Sequence, residues 1–443
     1  MFKISPTNAL ELSKILSGKL LGENTTVEYL STDTREEFYK NTCFIAIKGK
    51  NYNGNKFINH ALEKKCSLII TDEPILCNCP AILVKNTKNA LGLLAKAFSK
   101  KVKTIGITGS VGKTTVKDMI CLVLNEKYRV VGTNKNENNE IGVAKTLFSI
   151  KEEDFCVIEM GMRALGEIEQ LSFFAEPEIS IITNCGTSHL ELLGSEENIF
   201  KAKTEILKHT KRYALIPCEK RFFSIDYGQI KPIFVGKDIR LFDLNYNNEG
   251  VVFSAKYKEK TINDITLSTF NINIVTNALF AIAVGILCNV SDEQIKQGLK
   301  NYKGENMHEE ILQISGITVI EDCYNASYES VKGAIFSLKK IAEIKKLTPN
   351  LLLGDMLEIG ENSQEYHYRI GELAKDLGVK KLFAIGQYAK NITDGFSGGM
   401  ICTKKEHIAE MIKSQLTEKD VILIKGSRAM RLEKIVEQMK EIK

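Results

Sequence analysis

Short apolar runs alternate with helical patterns along the central part of the 443-residue chain. An apolar run at 102–108 leads into a glycine-rich loop, and apolar residues then recur at helical spacing over 113–125. Two more apolar runs, at 155–158 and 179–183, flank a helical pattern over 165–174. Strands that alternate with helices in this way predict a parallel sheet with helices on both of its faces.

The same alternation restarts in the last third of the chain, whereas the first part mixes short β-type runs with turn residues. The pattern therefore predicts an α/β protein of three units, which cover residues 1–100, 101–306 and 307–443. The further predicted strands lie at 43–47, 67–71, 81–84, 317–320, 351–353, 382–385 and 421–424. The further predicted helices lie at 86–99, 196–209, 276–288, 330–342, 364–377, 405–415 and 430–440.

Length and composition agree with this organisation. At about 150 residues per domain, the chain is long enough for roughly three domains. Hydrophobic residues make up 44% and charged residues 26%, which is typical of a globular protein with a large core. The net charge of +5 is small and no block of like charge stands out. Nucleic acid or an anionic membrane is therefore not expected as the main partner.

The chain also lacks the sequence features of membrane and secreted proteins. Its longest apolar run, at 278–288, is shorter than the ~18 residues that suggest a membrane span. The first residues have Lys and Glu spread through them instead of a continuous apolar segment. Eleven cysteines, an odd number, are scattered from Cys43 to Cys402 without a zinc-type spacing. These observations predict a protein of the reducing cytoplasm.

The glycine-rich loop after the first central strand is the strongest local signal. It sits between a predicted strand and a predicted helix, where backbone N–H groups and the helix dipole can hold phosphate. Lys113 can reach the β- and γ-phosphates, and Thr114 can hold Mg²⁺. Strict spacing would place a glycine at Ile107, so the loop is a variant, and an ordinary glycine turn is the less favoured alternative. The predicted nucleotide-binding residues are Thr108, Gly109, Ser110, Val111, Gly112, Lys113, Thr114 and Thr115.

Three polar residues near the ends of later central elements are further candidates. Glu159 ends a buried strand beside the phosphate loop, where a carboxylate can bind Mg²⁺. His189 follows the next strand, and a ligand role and a structural role are about equally supported for it. Lys203 lies on a predicted helix, and the residue pattern alone predicts a solvated charge there.

Polar side chains also follow strands of the third unit. Segments 322–326 and 354–358 each end an apolar strand, and together they suggest a second binding wall. Ser427 and Arg428 follow the last strand and can bind a carboxylate or phosphate, although Ser427 is also a possible helix N-cap. An amide cluster at 134–139 offers further donors. The residues thus predict an ATP- and Mg²⁺-dependent enzyme with a cleft between α/β units.

The order of these motifs resembles the Mur ligase family over nearly the whole chain. Several long motifs in one order are more specific than a phosphate loop alone. The matching segments are Thr108–Thr114, Glu159–Gly161, His189, Ala202–Glu205, Asn138–Gly142, Asp322–Ala326, Leu353–Gly360 with His367, and Lys425–Arg428.

The resemblance implies an N-terminal UDP-substrate domain, a central ATPase domain and a C-terminal Rossmann-like domain. The branch of the family that the motifs resemble most phosphorylates the terminal carboxylate of UDP-MurNAc-tripeptide with ATP. The amine of D-Ala-D-Ala then attacks the acyl phosphate, and phosphate leaves. The resemblance therefore implies small-molecule substrates, ATP and Mg²⁺ as cofactors, and a monomer.

The resemblance also assigns roles to individual residues. It implies that Lys203 is carbamylated, which reverses the prediction from the residue pattern. The implied catalytic residues are Lys113, His189 and Lys203, and the implied Mg²⁺ ligands are Thr114, Glu159, His189 and Lys203. Further ATP contacts are implied for Asn277, His308 and Asn325. Substrate contacts are implied for Thr32, Asp33, Thr34, Arg35, Lys48, Asn138, Asn139, Asp355, Ser427 and Arg428.

The sequence departs from the family pattern at three places. His308 stands where the family usually has Arg, and His is mostly neutral near pH 7. Ser327 and Tyr328 replace the usual Asn-Pro, and 271–274 replaces a Gly-Arg-His-Asn stretch.

Three other functions remain open on the sequence. The first alternative is a ligase of the same fold that adds a different amino acid. The Asp-Asn-Pro-Arg motif of the diaminopimelate-adding ligases is not found in this sequence. A nucleotide-driven switch or transport ATPase is a second alternative, although 134–137 offers the GTPase base-reading motif only in the wrong context. A degenerate binding protein is the third, and the intact Lys113, Glu159, His189 and Lys203 argue against it.

Overall fold

The chain folds into three α/β units, each built on its own β-sheet. The structure is a computed structural model, and it describes residues 1–49, 52–75, 78–186, 190–304, 309–357 and 359–441. His189 and His308, both predicted as site residues, therefore lie outside the described residues. The α/β fold class predicted from the sequence is confirmed.

The first unit has a six-stranded sheet with parallel central strands and antiparallel edges. Its elements are β1 (Phe2–Asn8), α1 (Ala9–Ile15), β2 (Lys19–Leu21), β3 (Thr26–Ser31), β4 (Thr42–Ile45), α2 (Ile58–Glu63), β5 (Leu68–Thr71), β6 (Ala81–Leu83) and α3 (Thr87–Phe98). The strand order is β1-β3-β4-β5-β6-β2, and β1 and β2 are the antiparallel edge strands.

The central unit has nine strands. Its elements are β7 (Lys103–Thr108), α4 (Lys113–Asn125), β8 (Val130–Gly132), α5 (Glu140–Phe148), β9 (Phe155–Glu159), α6 (Glu167–Ala175), β10 (Ile179–Ile182), α7 (Leu190–Leu193), α8 (Glu196–Thr204), β11 (Tyr213–Pro217), β12 (Lys231–Val235), β13 (Ile239–Asn247), β14 (Gly250–Tyr257), β15 (Lys260–Leu267), α9 (Ile272–Leu287) and α10 (Asp292–Lys300). The order is β15-β14-β13-β12-β11-β10-β7-β9-β8, so β7 lies between β9 and β10. This arrangement brings the ends of these three strands to one edge of the sheet.

The antiparallel strands β13–β15 extend this parallel sheet and were not predicted. β13 alternates partly buried and exposed residues, as expected for a strand with one face in solvent. The prediction followed only continuous apolar runs, which identify strands buried on both faces. Helix α9 is apolar nearly all around, because it packs against α4 on one side and the hairpins on the other.

The third unit has a six-stranded sheet in the order β16-β17-β21-β18-β19-β20, in which only β16 is antiparallel. Its elements are β16 (Glu310–Ile314), β17 (Ile317–Asp322), α11 (Tyr328–Lys345), β18 (Thr348–Leu353), α12 (Ser363–Asp376), β19 (Lys381–Ile385), α13 (Ala389–Phe396), β20 (Met400–Cys402), α14 (Ile408–Gln415), β21 (Asp420–Lys425) and α15 (Glu433–Glu441). One apolar cluster lies under α11–α13 and another under α14 and α15, so helices cover both faces as predicted.

Some predicted helices have different ends. The helix predicted over 196–209 is α-helical only to Thr204 and continues as a 3₁₀ helix over Glu205–His209. The last helix starts at Glu433, because Arg431 has a positive φ of 50° that interrupts a helix from residue 430. Among the helices of the described residues, none is both long and apolar enough to cross a membrane.

Candidate active site

The phosphate loop connects β7 to α4, and two of its glycines are required by space and backbone conformation. Gly112 precedes the helix with φ +83°, and a Cβ there would lie 2.7 Å from the Asn277 side-chain nitrogen. Gly109 has φ +152°, and a Cβ there would lie 1.9 Å from Thr183 Oγ1. Ile107 is fully buried inside β7, which explains why the strict loop spacing is not followed.

Residues after β10 brace this loop from the side. Thr183 Oγ1 donates to the Val111 carbonyl at 2.6 Å, and the Asn184 side chain donates to the same oxygen at 2.8 Å. The Val111 N–H donates to Asn184 Oδ1 at 3.0 Å. Ser110 Oγ donates to the Gly186 carbonyl at 3.2 Å. The residue pattern does not predict this brace, although the pairing of β10 with β7 makes polar residues after β10 neighbours of the loop.

Lys113 places a positive charge over the loop. It is the first residue of α4, and its Nζ donates to the Gly109 carbonyl at 2.8 Å and lies 3.4 Å from the Ser110 carbonyl. Because the N-terminus of α4 also carries unpaired N–H groups and a partial positive charge, this end of the helix is suited to an anion. Thr108 ends β7 in the core, and Thr115 lies half-buried in the first turn of the helix.

Glu159 is held against the loop at the end of β9. Thr114 Oγ1 donates to Glu159 Oε2 at 2.8 Å, and Asn138 Nδ2 donates to Oε1 at 2.8 Å. The Glu159 N–H donates to Thr133 Oγ1 at 3.0 Å. Only 2% of the residue is exposed, so the carboxylate is fixed beside the phosphate loop, where the strand-end argument predicted it.

Lys203 is fully buried on α8, in contrast to the solvated charge that the residue pattern predicted. Its Nζ has no hydrogen-bond partner among the described residues. Burial lowers the pKa of this amine well below its usual range, and the nearby Lys113 ammonium lowers it further, against the opposing effects of Cys185 and Glu159. A buried amine with a lowered pKa, close to Lys113 and Glu159, is therefore part of the same site. Periodicity misjudged it because it cannot show that neighbouring elements cover this face of α8.

The donor set around Glu159 fits Mg²⁺. A carboxylate and a threonine hydroxyl are the hard oxygen donors that this ion prefers. In the described ranges, no group of three or more His, Cys, Asp or Glu side chains is positioned for a metal. A Mg²⁺ site needs only a few protein ligands, because the ion usually keeps several waters and binds substrate phosphates. Glu159 and Thr114 are therefore two described residues whose oxygen atoms can hold this ion.

The predicted residues of the first unit form two exposed ion pairs. The Asp33 carboxylate accepts from Arg35 Nε and Nη2, and this pairing lowers the pKa of Asp33 to about 2. Lys48 Nζ donates to Glu73 at 2.7 Å. Thr34 is buried, and its hydroxyl lies 3.0 Å from His60 Nδ1. Asp33, Thr34, Arg35 and Lys48 thus make their described contacts inside this unit. Thr32 directly follows β3 and is half-buried.

Other predicted substrate residues are engaged by neighbouring backbone. Asn139 caps α5 by accepting from the Ile141 and Gly142 N–H groups. The Asp355 carboxylate accepts from the Gln387 and Tyr388 N–H groups at the start of α13.

Ser427 connects two strand-end loops of the third unit. It is 3% exposed, and its Oγ accepts from the Leu357 N–H at 2.8 Å. The 3₁₀ turn that follows has no side-chain cap from Ser427, contrary to the N-cap alternative. The Arg428 guanidinium forms an ion pair with Glu433, with 3.8 Å between Nη1 and Oε1.

The third unit reaches the central unit through the loop after β17. Tyr324 Oη donates to Asn136 Oδ1 at 2.8 Å. Lys425 Nζ pairs with the Asp322 carboxylate at 2.8 Å and donates to the Asn325 carbonyl at 2.9 Å, which holds this loop in place. The amide cluster thus contacts both Glu159 and the third unit, a connection that the sequence analysis did not predict.

The structure brings together a phosphate loop, a buried carboxylate that accepts from the loop's threonine, a buried lysine and a third α/β unit. Such a site defines a nucleotide-using enzyme of the phosphate-loop class. Family models match two segments of the chain: Mur ligase middle domain matches residues 107–285, and Mur ligase, glutamate ligase domain matches residues 309–428. The chain belongs to the Mur ligase family, and it is an ATP-dependent ligase.

Relatives match over the full length. The chain is 34% identical over 462 residues to the UDP-N-acetylmuramoyl-tripeptide–D-alanyl-D-alanine ligase of Bacillus subtilis, covering 100% of this chain and 99% of that protein. It is 28% identical to the Escherichia coli protein of the same name, over 97% of this chain and 98% of the other. The structure of MurF from Acinetobacter baumannii superposes with a TM-score of 0.87 at 25% identity, covering 99% and 100% of the two chains. MurF from Thermotoga maritima in complex with ADP has a TM-score of 0.80 at 25% identity, covering 93% and 97%.

Proposed function

We propose that this enzyme uses ATP to join D-alanyl-D-alanine to the terminal carboxylate of UDP-N-acetylmuramoyl-tripeptide, a step of peptidoglycan precursor synthesis. The products are the UDP-linked pentapeptide, ADP and phosphate. The observation that carries the proposal is the match over the whole chain, and not only over the phosphate loop, to ligases with this name.

The reaction explains why the site is built around a triphosphate. A carboxylate resists attack by an amine because it is negatively charged and has no good leaving group. Transfer of the γ-phosphoryl group to a carboxylate oxygen gives an acyl phosphate and ADP. The dipeptide amine then forms the new C–N bond, loses a proton, and phosphate departs with the C–O electron pair. The enzyme must therefore stabilise negative charge at both steps.

The central unit supplies the groups for this task. Residues Thr108–Thr115 bind the triphosphate, and Lys113 neutralises charge on the oxygens of the transferred phosphoryl group. Thr114 and Glu159, together with His189 and Lys203, hold Mg²⁺, which offsets the charge of the phosphates when it is bound. The short contacts of Glu159 with Thr114 and Asn138 support this assignment.

Lys203 contributes as a carbamate. Its amine is neutral because burial disfavours the charged form, and a neutral amine can attack CO₂. The new N–C bond forms with loss of one proton and leaves an anionic group at a position with no other hydrogen-bond partner among the described residues. This change converts an amine into an anionic oxygen ligand for the metal.

The remaining assignments distribute the substrates over the three units. The first domain, residues 1–100, binds the UDP substrate, and the central domain, residues 101–306, binds ATP. The third domain, residues 307–443, binds the dipeptide and part of ATP. Asn277, His308 and Asn325 contact ATP, and Thr32, Asp33, Thr34, Arg35 and Lys48 bind the UDP moiety. Asn138, Asn139, Asp355, Ser427 and Arg428 shape the peptide site. The location of Asn277 against Gly112 supports its assignment. The enzyme acts as a cytoplasmic monomer.

A ligase assay with purified enzyme tests the function. We expect stoichiometric ADP and a UDP-pentapeptide, identified by mass spectrometry, with UDP-tripeptide, MgATP and D-Ala-D-Ala. Parallel reactions replace the dipeptide with D-Ala, Glu or Lys. Formation of ADP with one of these amino acids and not with D-Ala-D-Ala would overturn the dipeptide assignment. ATP hydrolysis without any amide product would favour the switch or transport ATPase.

A further inference from the structure

A second buried lysine lies one turn after the phosphate-loop lysine. Lys117 is on α4 and is 5% exposed, although lysines are almost never buried without a partner. Its Nζ donates to the Thr133 carbonyl at 3.0 Å and lies 3.1 Å from the Asp118 carboxylate. The proposed reaction gives this side chain no role.

The residue that Lys117 holds is itself bonded to the neighbouring strand. Thr133 follows β8 and is 2% exposed. Its N–H donates to the Val157 carbonyl at 2.9 Å, and its Oγ1 accepts from the Glu159 N–H at 3.0 Å. Thr133 thereby fixes the backbone of β9 at the residue where the strand ends.

The position of this backbone decides where the Glu159 carboxylate lies. Both carboxylate oxygens are already oriented, one by Thr114 and the other by Asn138. A shift of the backbone at 159 would therefore change the distance from the carboxylate to the phosphate loop. Buried hydrogen-bonded groups behind a metal ligand commonly have this effect on metal affinity.

We infer that Lys117 and Thr133 are positioning residues for the metal-binding carboxylate, and that they act through hydrogen bonds without touching ATP. The inference rests on the proposed function, because it takes Glu159 as a magnesium ligand. An apolar side chain of similar volume would fill the site of Lys117 without the desolvation cost of an ammonium. The Asp118 carboxylate offsets the charge of this ammonium, and the hydrogen bond to the Thr133 carbonyl gives the donor its positioning role.

Binding of Mn²⁺ to the ADP-loaded protein, measured by the electron paramagnetic resonance signal of free Mn²⁺, tests the inference. We expect Thr133→Val and Lys117→Met to weaken Mn²⁺ binding about tenfold, since each removes a group behind the metal ligand. Thr133→Ser keeps the hydroxyl and should bind Mn²⁺ as the wild type does. Lys127→Met is the matched control, because Lys127 is exposed beyond the far end of α4 and donates to the Asn289 carbonyl.

The outcomes separate this inference from the function on which it rests. Equal Mn²⁺ binding by wild type and Glu159→Gln would overturn the proposed metal site. Loss of Mn²⁺ in Glu159→Gln, with unchanged binding in a folded Thr133→Val, would overturn the positioning role. Thermal unfolding checks the fold of each variant. If Thr133→Val does not fold, the Mn²⁺ affinity of Lys117→Met tests the positioning role instead. Lower melting temperatures with unchanged Mn²⁺ affinity would mean a merely structural role and would also overturn the inference.

Discussion

At the scale of single residues, Lys203 is fully buried and its amine has no hydrogen-bond partner among the described residues. A fully buried ammonium without a partner would cost several kcal/mol, so the amine stays neutral. The neutral amine is also the form that reacts with CO₂. The same observation thus explains both the low pKa of this lysine and its suitability for a carbamate.

Substitution of this lysine tests the carbamate. We expect Lys203→Ala to lose about a hundredfold or more of kcat, since a charge-stabilising group is removed from the site, and bicarbonate should not restore the rate. The control is Lys201→Ala on the same helix, where the side chain is exposed and 3.9 Å from Glu197. Steady-state ADP release measures both variants. A nearly wild-type rate in Lys203→Ala would exclude the carbamate.

The sequence predicts where a side chain lies best when a strand end defines its position. Glu159 was placed beside the loop because the carboxyl ends of neighbouring parallel strands meet at one edge. Asn184 also follows a strand that neighbours β7 and contacts the loop, but the sequence pattern drew attention to His189 and not to Asn184. Periodicity alone could not single out Lys117 or Lys203, because the helical pattern around a lysine does not show which elements cover it. Only the family resemblance indicated Lys203.

At the scale of elements, the loop between β18 and α12 is fixed by a histidine in one tautomer. His367 is fully buried, and its Nε2 accepts from the Met356 N–H at 2.8 Å. Nδ1 must therefore carry the proton, which it donates to the Ser363 carbonyl at 2.6 Å. Burial lowers the pKa of His367, so the neutral form persists in the folded protein. A second proton on Nε2 would face the Met356 N–H and break this contact.

This histidine makes stability depend on pH. An unfolded histidine has a pKa of about 6.5, and the folded value is lower, so below about pH 6.5 the unfolded chain binds more protons. The contribution of His367 to the free energy of unfolding is therefore fully present above about pH 6.5. It is lost as the pH falls toward the lower pKa of the folded protein. We expect His367→Gln to cost roughly 1–3 kcal/mol at pH 7.5, because the Met356 N–H loses its partner, and to flatten the decline toward pH 5.5.

Urea unfolding of the full chain at the two pH values measures this effect. His407→Gln is the control, since His407 is an exposed histidine of the same unit and its substitution should leave the decline unchanged. If His367→Gln loses stability on acidification as steeply as the wild type, another group causes the decline.

The same scale shows what could be predicted of the fold. The parallel strands were recognised because a strand buried on both faces is a continuous apolar run. The hairpins of β13–β15 were missed because their residues alternate, and β13 is further interrupted by a register shift around Asp243, which has a positive φ of 52°. Irregular antiparallel strands therefore escape a prediction that follows apolar runs.

At the scale of the whole molecule, the site depends on how the third unit meets the central one. The loop after β17 is anchored within its own unit by the buried Lys425–Asp322 pair, and its Tyr324 reaches across to Asn136. A cavity of about 690 Å³ is lined by residues of both units, among them Leu190 and Gly194 of the central unit and Met356 and Ile359 of the third. An enzyme that must keep an acyl phosphate from water requires these units to close around it.

Removal of the hydroxyl that joins the two units should weaken this closure. We expect Tyr324→Phe to lower kcat/KM for the dipeptide roughly two- to tenfold, the value of one hydrogen bond of about 0.5–1.5 kcal/mol. Asn136→Ala removes the acceptor of the same bond, so the double variant should be no slower than the poorer single variant. Tyr368→Phe, at an exposed tyrosine of the third unit, is the control for loss of a phenol. Losses that multiply in the double variant would show that Tyr324 and Asn136 act separately, and closure would then depend on other contacts between the units.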